Sequence, residues 1–283
     1  MTLQHAMRFP LGRKKAFTLS YDDGVTQDIP FIDLLRRLNL KATFNINSGH
    51  LGQKDFIIRE GRRVEHDHIR PEEVQSLYDG FEVALHTVSH PALTLLDDAQ
   101  VLCQVLQDKD ALEKLVGYPV RGMAYPGGVF SARIIELLKG CGVRFCREVA
   151  VTHDFSLPKE ALAWQCSCHH WDLEALIEPF LAEHSGFQPY LLSVWGHSFE
   201  FDQRDDWAVI ENQLKRLSGH SDVWYATNIE IFDYIDAYNA LKWTVQGDVV
   251  SNPSALDVWV WLEGAGEVCI PAGQCVRLSP KAV

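Results

Sequence analysis

The sequence has no long apolar run, no excess of basic charge and no repeated or low-complexity tract. No apolar segment of the 283 residues approaches the roughly 20 that a membrane span needs. The formal net charge is −12, whereas nucleic acids and anionic membranes require a basic face on the protein that binds them. These absences argue against a membrane-spanning protein and against nucleic acid or membrane as a partner.

A disulfide framework and a secretory leader are also missing. Seven cysteines are an odd number without regular spacing, so we expect reduced and mostly buried thiols. Residues 1–15 carry charges but no apolar core of signal-peptide length, and this predicts a cytoplasmic protein.

Strand-like and helix-like segments alternate from residue 16 to about residue 241. Hydrophobic residues make up 47% of the chain, as in a globular protein with a sizeable core. Strands are predicted at 16–21, 41–47 and 81–85, and helices at 28–38 and 207–217, with an irregular, charged excursion at 48–69. Such alternation is typical of βαβ units with a parallel sheet, and seven or eight units in about 240 residues favour a closed or nearly closed barrel.

The last forty or so residues have a different pattern of predicted secondary structure. Four short strand-like segments between residues 243 and 278 are broken by Asn252, Pro253 and glycine-rich turns. We therefore predict an α/β barrel domain at 1–241 followed by a small antiparallel β appendage at 242–283, with a packing or capping role.

Candidate chemistry begins where the first predicted barrel strand ends, at Asp22, Asp23 and Gly24. Adjacent strand residues point to opposite faces, which suggests two carboxylates with different roles, although a solvated turn also suits these residues. His86 and His90 follow the third strand, and histidines four apart on a helical turn can reach one ion. With one carboxylate they would leave a tetrahedral divalent metal an open position for water.

Two other histidine pairs compete for such an ion. His66 and His68 lie in the charged excursion, where a solvated loop is the simpler interpretation. His169 and His170 follow two cysteines, which superficially resembles a zinc cluster, but strand alternation favours buried thiols there.

Four segments of the chain form a set: Tyr21-Asp22-Asp23-Gly24, His86-Thr87-Val88-Ser89-His90-Pro91, Met123-Ala124-Tyr125-Pro126-Gly127-Gly128 and Trp195-Gly196-His197. In order and spacing they resemble the motifs of polysaccharide deacetylases with a NodB-homology domain, carbohydrate esterase family four. The resemblance spans about residues 16–240 and implies a distorted (β/α)₇ barrel and a metal-dependent amide hydrolase.

The resemblance also implies a role for each matched residue. Asp23, His86 and His90 would hold one divalent metal ion, with zinc expected and cobalt, nickel or manganese as alternatives. Asp22 would be the general base, and His197 would be the general acid that protonates the departing nitrogen.

The third motif departs from the family pattern. Ala124 stands where the family has an arginine, and we predict that Arg147, in preference to Arg121 or Arg144, orients Asp22 instead. Gly127 stands where the family has a tyrosine, and its backbone N–H would face the oxyanion.

The family has a further motif, between the third and the last of these segments, and it is not clear in this sequence. The segment with His169 and His170 lies where the aspartate of that motif should be. Further substrate contacts are expected from Tyr125, from Trp195 as a wall of the acyl pocket, and from Glu200, for which a helix cap is an equal alternative.

The leading hypothesis is a hydrolase that removes an N-acetyl group from an amino sugar or short oligosaccharide. An enzyme of the same fold that cleaves a non-sugar amide, such as a cyclic imide or ureide, is the first alternative. A carbohydrate-binding protein with a vestigial site, using Trp243, Trp259 and Trp261, is the second. The sequence does not define the oligomeric state.

Overall fold

A nine-stranded sheet in which every pairing is parallel forms the centre of the protein. The computed structural model describes residues 4–184 and 187–278. In spatial order the sheet strands are Cys168–His169, Tyr190–Gly196, Lys15–Asp23, Thr43–Ile46, Glu82–Leu85, Gly122–Ala124, Phe145–Val151 and Trp164–Cys166, and Val223–Tyr225 also pairs with Lys15–Asp23.

Lys15–Asp23 is the central strand, and its whole length is buried. It pairs with Tyr190–Gly196, Thr43–Ile46 and Val223–Tyr225, so it has three hydrogen-bonded neighbours. A parallel strand that is covered on both faces is usually apolar along most of its length. In Lys15–Asp23 the apolar run is interrupted only where polar side chains have partners. The central strand therefore ends in a fixed position, with its two aspartates at the carboxyl edge.

Helices connect most of these strands. The helices predicted at 28–38 and 207–217 have those bounds in the structure, and capping boxes begin two of the longer helices, at Asp97 and at Thr227. Among the described residues no helix combines the length and apolar character that crossing a bilayer would require. The α-helices are Asp28–Leu38, Val74–Leu77, Asp98–Val116, Ala132–Gly140, Glu174–Ala182, Glu200–Arg204, Trp207–Leu217 and Asn228–Asn239.

This arrangement confirms the predicted mixed α/β fold with a parallel central sheet. The two ends of the spatial strand order, Trp164–Cys166 and Cys168–His169, are separated along the chain by Ser167 alone. The Ser167 amide donates to the carbonyl of Ser193 at 2.8 Å, which ties this link to the strand Tyr190–Gly196. Closure of the sheet into a complete barrel stays a prediction.

The strands after residue 241 pair antiparallel. An N-terminal strand that the sequence pattern did not reveal joins them. Tyr234, in the last long helix, donates to the Arg8 carbonyl of this strand and accepts from the Trp259 amide of its neighbour. The division of the chain at 241/242 stays a prediction. The pairs are His5–Arg8 with Val258–Leu262, Val258–Leu262 with Gly266–Ile270, Lys242–Trp243 with Val249–Ser251, and Val249–Ser251 with Cys275–Arg277.

The excursion at 48–69 is more ordered than predicted. It contains an antiparallel hairpin of Phe56–Arg59 and Arg62–Glu65, after which the chain runs alongside the segment that follows the central strand. His68 is only 6% exposed, so the prediction of a solvated loop for His66 and His68 is wrong. The reason is that Val64, with apolar neighbours, packs this polar stretch against the rest of the protein.

Four of the seven cysteines are buried, which agrees with the expectation of mostly buried thiols. Cys166 and Cys168 are both fully buried, as the strand alternation indicated.

A buried carboxyl at the amino-terminal end of its strand predicts a pH-dependent stability. Burial raises the pKa of Glu82 from 4.5 to about 8, and its Oε2 accepts from Thr43 Oγ1 at 2.7 Å and from the Ile229 amide at 2.8 Å. Between these pH values the folded state binds the proton that the unfolded state has lost, so stability falls as the pH rises. We expect the melting temperature to fall from pH 5 to pH 8, and to fall less in Glu82→Gln.

The control for this measurement is Glu136→Gln, because Glu136 lies on an exposed helix face beside Lys139. Equal pH slopes for the parent protein and the Glu82→Gln variant would contradict the role assigned to Glu82.

Candidate active site

The predicted site residues collect at the carboxyl edge of the sheet. Asp22 and Asp23 end the central strand, His86 follows Glu82–Leu85, and His197 follows Tyr190–Gly196. Parallel strands present their carboxyl ends at one edge, so residues far apart along the chain meet there. The structure brings Asp22, His197 and the group of Asp23, His86 and His90 close together, while the roles predicted for them stay predictions.

Asp22 is a buried carboxylate held by residues of two other strands, of which only the strand of Asn45 is its neighbour in the sheet. It is 3% exposed, its Oδ1 accepts from Asn45 Nδ2 at 2.9 Å, and Nη2 of the fully buried Arg147 contacts both of its oxygens. Burial alone would raise the pKa of Asp22, but the Arg147 guanidinium lowers it below its usual value. Asp22 is therefore ionised at neutral pH.

The contact between Arg147 and Asp22 lies where the sequence analysis puts it, and the orienting role stays a prediction. The two rival arginines, Arg121 and Arg144, instead form pairs with aspartates of the helix Asn228–Asn239. Arg147 also donates through Nε to Ser20 Oγ at 3.2 Å, so its position is fixed from more than one side.

Asp23, His86 and His90 form a group with one ligand atom each, all within 4.8 Å of one another. Asp23 Oδ1 lies 3.5 Å from His86 Nε2 and 4.0 Å from His90 Nε2. The helical turn expected between the histidines is absent: Thr87 and His90 have positive φ of 67° and 55°, so a sharply bent loop brings the rings to 4.8 Å between centroids. The strained backbone of this loop brings the two rings together, as the regular spacing of a helical turn would.

The environment of His86 fits a metal ligand. Its Nδ1 lies 2.9 Å from the Ala124 carbonyl, which can only accept, so Nδ1 carries the hydrogen and Nε2 keeps its lone pair. That Nε2 is buried and has no hydrogen-bond partner in the described part of the chain. Burial lowers the pKa of His86 to about 4, which keeps the ring neutral. A buried free lone pair beside a carboxylate suits a divalent cation.

Asp108 supports this loop from below, and sequence reasoning missed it. Its Oδ2 accepts from the His86 amide at 3.1 Å and its Oδ1 accepts from the Ser48 amide at 2.8 Å. Asp108 lies in the long helix Asp98–Val116, where no local motif marks it, and Asn45 inside its strand is equally unmarked.

His197 lies between two carboxylates. Its Nε2 is 3.9 Å from Asp22 Oδ2, its Nδ1 is 3.3 Å from Glu200 Oε2, and its amide donates to the same Oε2 at 3.0 Å. Burial alone would lower the pKa of His197, but Glu200 and the two aspartates raise it to about 9. The ring is therefore a protonated acid near neutrality.

Glu200 faces histidines, which argues against the substrate contact expected of it. The carboxylate is 7% exposed, and its Oε2 lies 3.1 Å from His169 Nε2 and 3.6 Å from His170 Nε2. Burial alone would raise the pKa of Glu200, but His169 and His197 hold it well below its usual range.

His169, His170 and Glu200 also lie close enough together to hold an ion. However, the Trp171 amide donates to His169 Nδ1 at 3.3 Å, so a neutral His169 carries its hydrogen on Nε2 and donates to Glu200. The arrangement is therefore that of a hydrogen-bonded carboxylate.

The remaining predicted residues divide into two groups. Trp195 stacks under the Arg147 guanidinium at 4.7 Å and its ring lies 5.9 Å from that of His197. Gly127 follows its strand with a φ of +63°, in a turn at the same edge. Tyr125 lies apart, because it is 1% exposed and its hydroxyl donates to the Leu162 carbonyl at 2.8 Å. Its side chain has no free group for a substrate.

Comparison with known proteins finds similar sequences and similar folds. Residues 11–146 match the family model of polysaccharide deacetylases, so this part of the chain is similar to that family. Chitin deacetylase 1 of Cryptococcus neoformans is 31% identical over 132 residues, which are 46% of this chain and 25% of that protein. Peptidoglycan-N-acetylglucosamine deacetylase PgdA of Listeria monocytogenes is 26% identical over 124 residues, 43% of this chain and 23% of that protein.

The chain therefore spans about a quarter of the length of the curated relatives it matches. Among solved structures, a Mycobacterium smegmatis protein classed with the polysaccharide deacetylases superposes with a TM-score of 0.57, 15% identity, and coverage of 84% of this chain and 95% of that one. This likeness supports the fold.

The buried pair at the site predicts unequal effects of two arginine substitutions. Arg147→Ala leaves Asp22 as an unpaired buried charge, so we expect it to lower the free energy of unfolding by about 3–5 kcal/mol. Arg144→Ala removes a partly exposed pair with Asp236, and we expect a loss of about 1 kcal/mol or less. Urea unfolding of both variants measures the difference, and similar losses would contradict the importance assigned to Arg147.

Proposed function

We propose that this protein is a metal-dependent hydrolase that removes the N-acetyl group from an amino sugar or a short oligosaccharide. The observation that carries the proposal is the convergence of Asp22, the Asp23–His86–His90 group and His197 at one edge of the sheet. The named activities of the relatives, on chitin and on the N-acetylglucosamine of peptidoglycan, support the sugar amide as the substrate class.

Asp23, His86 and His90 would hold one divalent ion, for which zinc is the first choice because of the two nitrogen ligands and the single carboxylate. When bound, such an ion supplies Lewis-acid polarisation of the amide carbonyl and lowers the pKa of water at the site. The free lone pair on the buried His86 Nε2 is the feature of the chain that supports this assignment.

Asp22 serves as the general base. A water oxygen forms the new bond to the acetyl carbon, and its proton goes to Asp22, which Arg147 keeps ionised and Asn45 keeps in place. The backbone N–H of Gly127 faces the oxygen that becomes negative, and Trp195 forms a wall for the acetyl group.

His197 serves as the general acid. The carbon–nitrogen bond breaks as the protonated ring of His197 delivers its proton to the departing nitrogen, so the products are acetate and the free amino sugar. Glu200 holds this ring from the opposite side through the same oxygen that accepts from the His197 amide. We infer further that the sheet around this edge closes as a distorted (β/α)₇ barrel, because only Ser167 separates the two end strands.

Release of acetate from N-acetylated chito-oligosaccharides tests the proposal. We expect release that stops with a chelator and returns with a divalent metal, and a loss of 100-fold or more in kcat for Asp22→Asn, as general base catalysis typically contributes about 10²–10⁴-fold. Glu136→Gln, on an exposed helix face, serves as the control. Absence of metal-dependent release from every N-acetyl sugar would remove the sugar deacetylase.

The same assay separates the alternatives. Metal-dependent cleavage of a cyclic imide or ureide without acetate release would favour the non-sugar amide hydrolase. Binding of the oligosaccharide without any cleavage would favour the binding protein. For that alternative Trp243, Trp259 and Trp261 are poor candidates, since each is half-buried and Trp243 stacks on His5 at 4.2 Å.

The position of Glu200 predicts a shift in the pH profile. Glu200 raises the pKa of His197, and Glu200→Gln removes that charge, so His197 loses its proton at a lower pH. We expect the alkaline limb of the kcat profile to move to lower pH in Glu200→Gln. Glu211→Gln, at a half-buried glutamate of Trp207–Leu217 that pairs with Lys215, is the matched control. An unchanged alkaline limb would show that Glu200 does not act on the acid.

A further inference from the structure

The chain brings a strap, residues 64–69, across the edge of the candidate active site. The strap begins within the second strand of the hairpin, Arg62–Glu65, and then runs antiparallel to the segment after the central strand. The Thr26 amide donates to the Asp67 carbonyl at 2.8 Å, and the Ile69 amide donates to the Gly24 carbonyl at 2.9 Å. Backbone hydrogen bonds therefore attach the strap within three residues of Asp23.

Side chains hold the same strap from the other side. Val64 is 3% exposed and packs with Val25 and Phe199. Phe199 follows His197 by two positions in the chain. Gln27 Nε2 donates to the Glu65 carbonyl at 2.9 Å. The strap thus lies between the segment that carries the predicted ligand Asp23 and the segment that carries the predicted acid.

His66 is the strap residue that reaches the site. Its Nε2 lies 3.2 Å from Asp23 Oδ2, whereas the other oxygen of the same carboxylate, Oδ1, is the one that faces His86. The His66 amide donates to the Asp55 carbonyl at 2.9 Å, and the ring packs edge-on against Phe199 with centroids 4.9 Å apart. Both the backbone and the ring of His66 are therefore fixed.

The two oxygens of Asp23 have different surroundings, and this difference has a chemical consequence. A carboxylate that binds an ion through one oxygen is oriented when a donor occupies the other, and such supporting donors typically change metal affinity by about 10–100-fold. We propose that His66 is a positioning residue that fixes the Asp23 carboxylate for metal binding. The inference rests on the metal site of the proposed function. The inference gives a role to a residue of the segment 48–69, which lies outside the motifs that the chain shares with the deacetylase family.

Metal affinity, measured by competition with a coloured chelator, tests this role without any assay of activity. We expect His66→Ala to weaken Co²⁺ and Zn²⁺ binding by about 10–100-fold. His66→Gln should recover part of the loss, because a side-chain amide can still donate to Asp23. His153→Ala, the same change at an exposed histidine, should bind as the parent does.

The Co²⁺ absorption spectrum at saturation distinguishes positioning from direct ligation. We expect the same spectrum for the parent and for His66→Ala, since the ligand set is unchanged. A different spectrum would make His66 a ligand and overturn the proposal, as would equal affinities for the parent and His66→Ala. Equal weakening in His66→Gln and His66→Ala would also overturn it, because loosening of the strap would then be the cause.

Failure of the underlying metal site gives a separate result. A parent protein that binds no divalent ion, or an Asp23→Ala variant that binds as tightly as the parent, would remove the site itself. Weakened binding in Asp23→Ala together with normal binding in His66→Ala would leave the proposed function intact and remove only the role of His66.

Discussion

The buried pair of Asp22 and Arg147 is the interaction on which the site depends. A carboxylate that is 3% exposed would take up a proton unless a cation compensated for the loss of water, and Arg147 is the group that does so. The two residues come from strands that are not neighbours in the sheet, so the pair can form only when the sheet has its full order. Ionisation of the predicted base is thus a property of the assembled fold.

The fixed charge on Asp22 has consequences for its neighbours. Two carboxylates at the end of one strand repel each other unless positive groups lie nearby, and the site supplies Arg147 and His197. The pKa of His197 is about 9 while that of Asp22 is below its usual value. An ionised base beside a protonated acid is the condition for the proposed hydrolysis.

Much of the fold was predictable because its signals are local. Helical periodicity gave the bounds of Asp28–Leu38, and apolar runs gave the strands whose ends carry Asp22 and His86. The pairing of His5–Arg8 with Val258–Leu262 was not predictable, since it joins chain segments about 250 residues apart. The bend between His86 and His90 was missed for a different reason: spacing of four residues is shared by a helical turn and by a strained loop.

The buried surroundings of His66 and Glu200 could not be predicted from the sequence, for one physical reason. Polar residues in a sequence suggest exposure, but a polar side chain can be buried when each of its groups finds a partner, and those partners are distant along the chain. Asp23 is 43 residues from His66, and His169 is 31 residues from Glu200. In each pair a distant histidine forms a hydrogen bond to a carboxylate that has a proposed role. The groups around the reaction centre are therefore held by several elements of the sheet and its connections. Precise placement of a few reactive groups requires such support, and a pattern within one segment cannot show it.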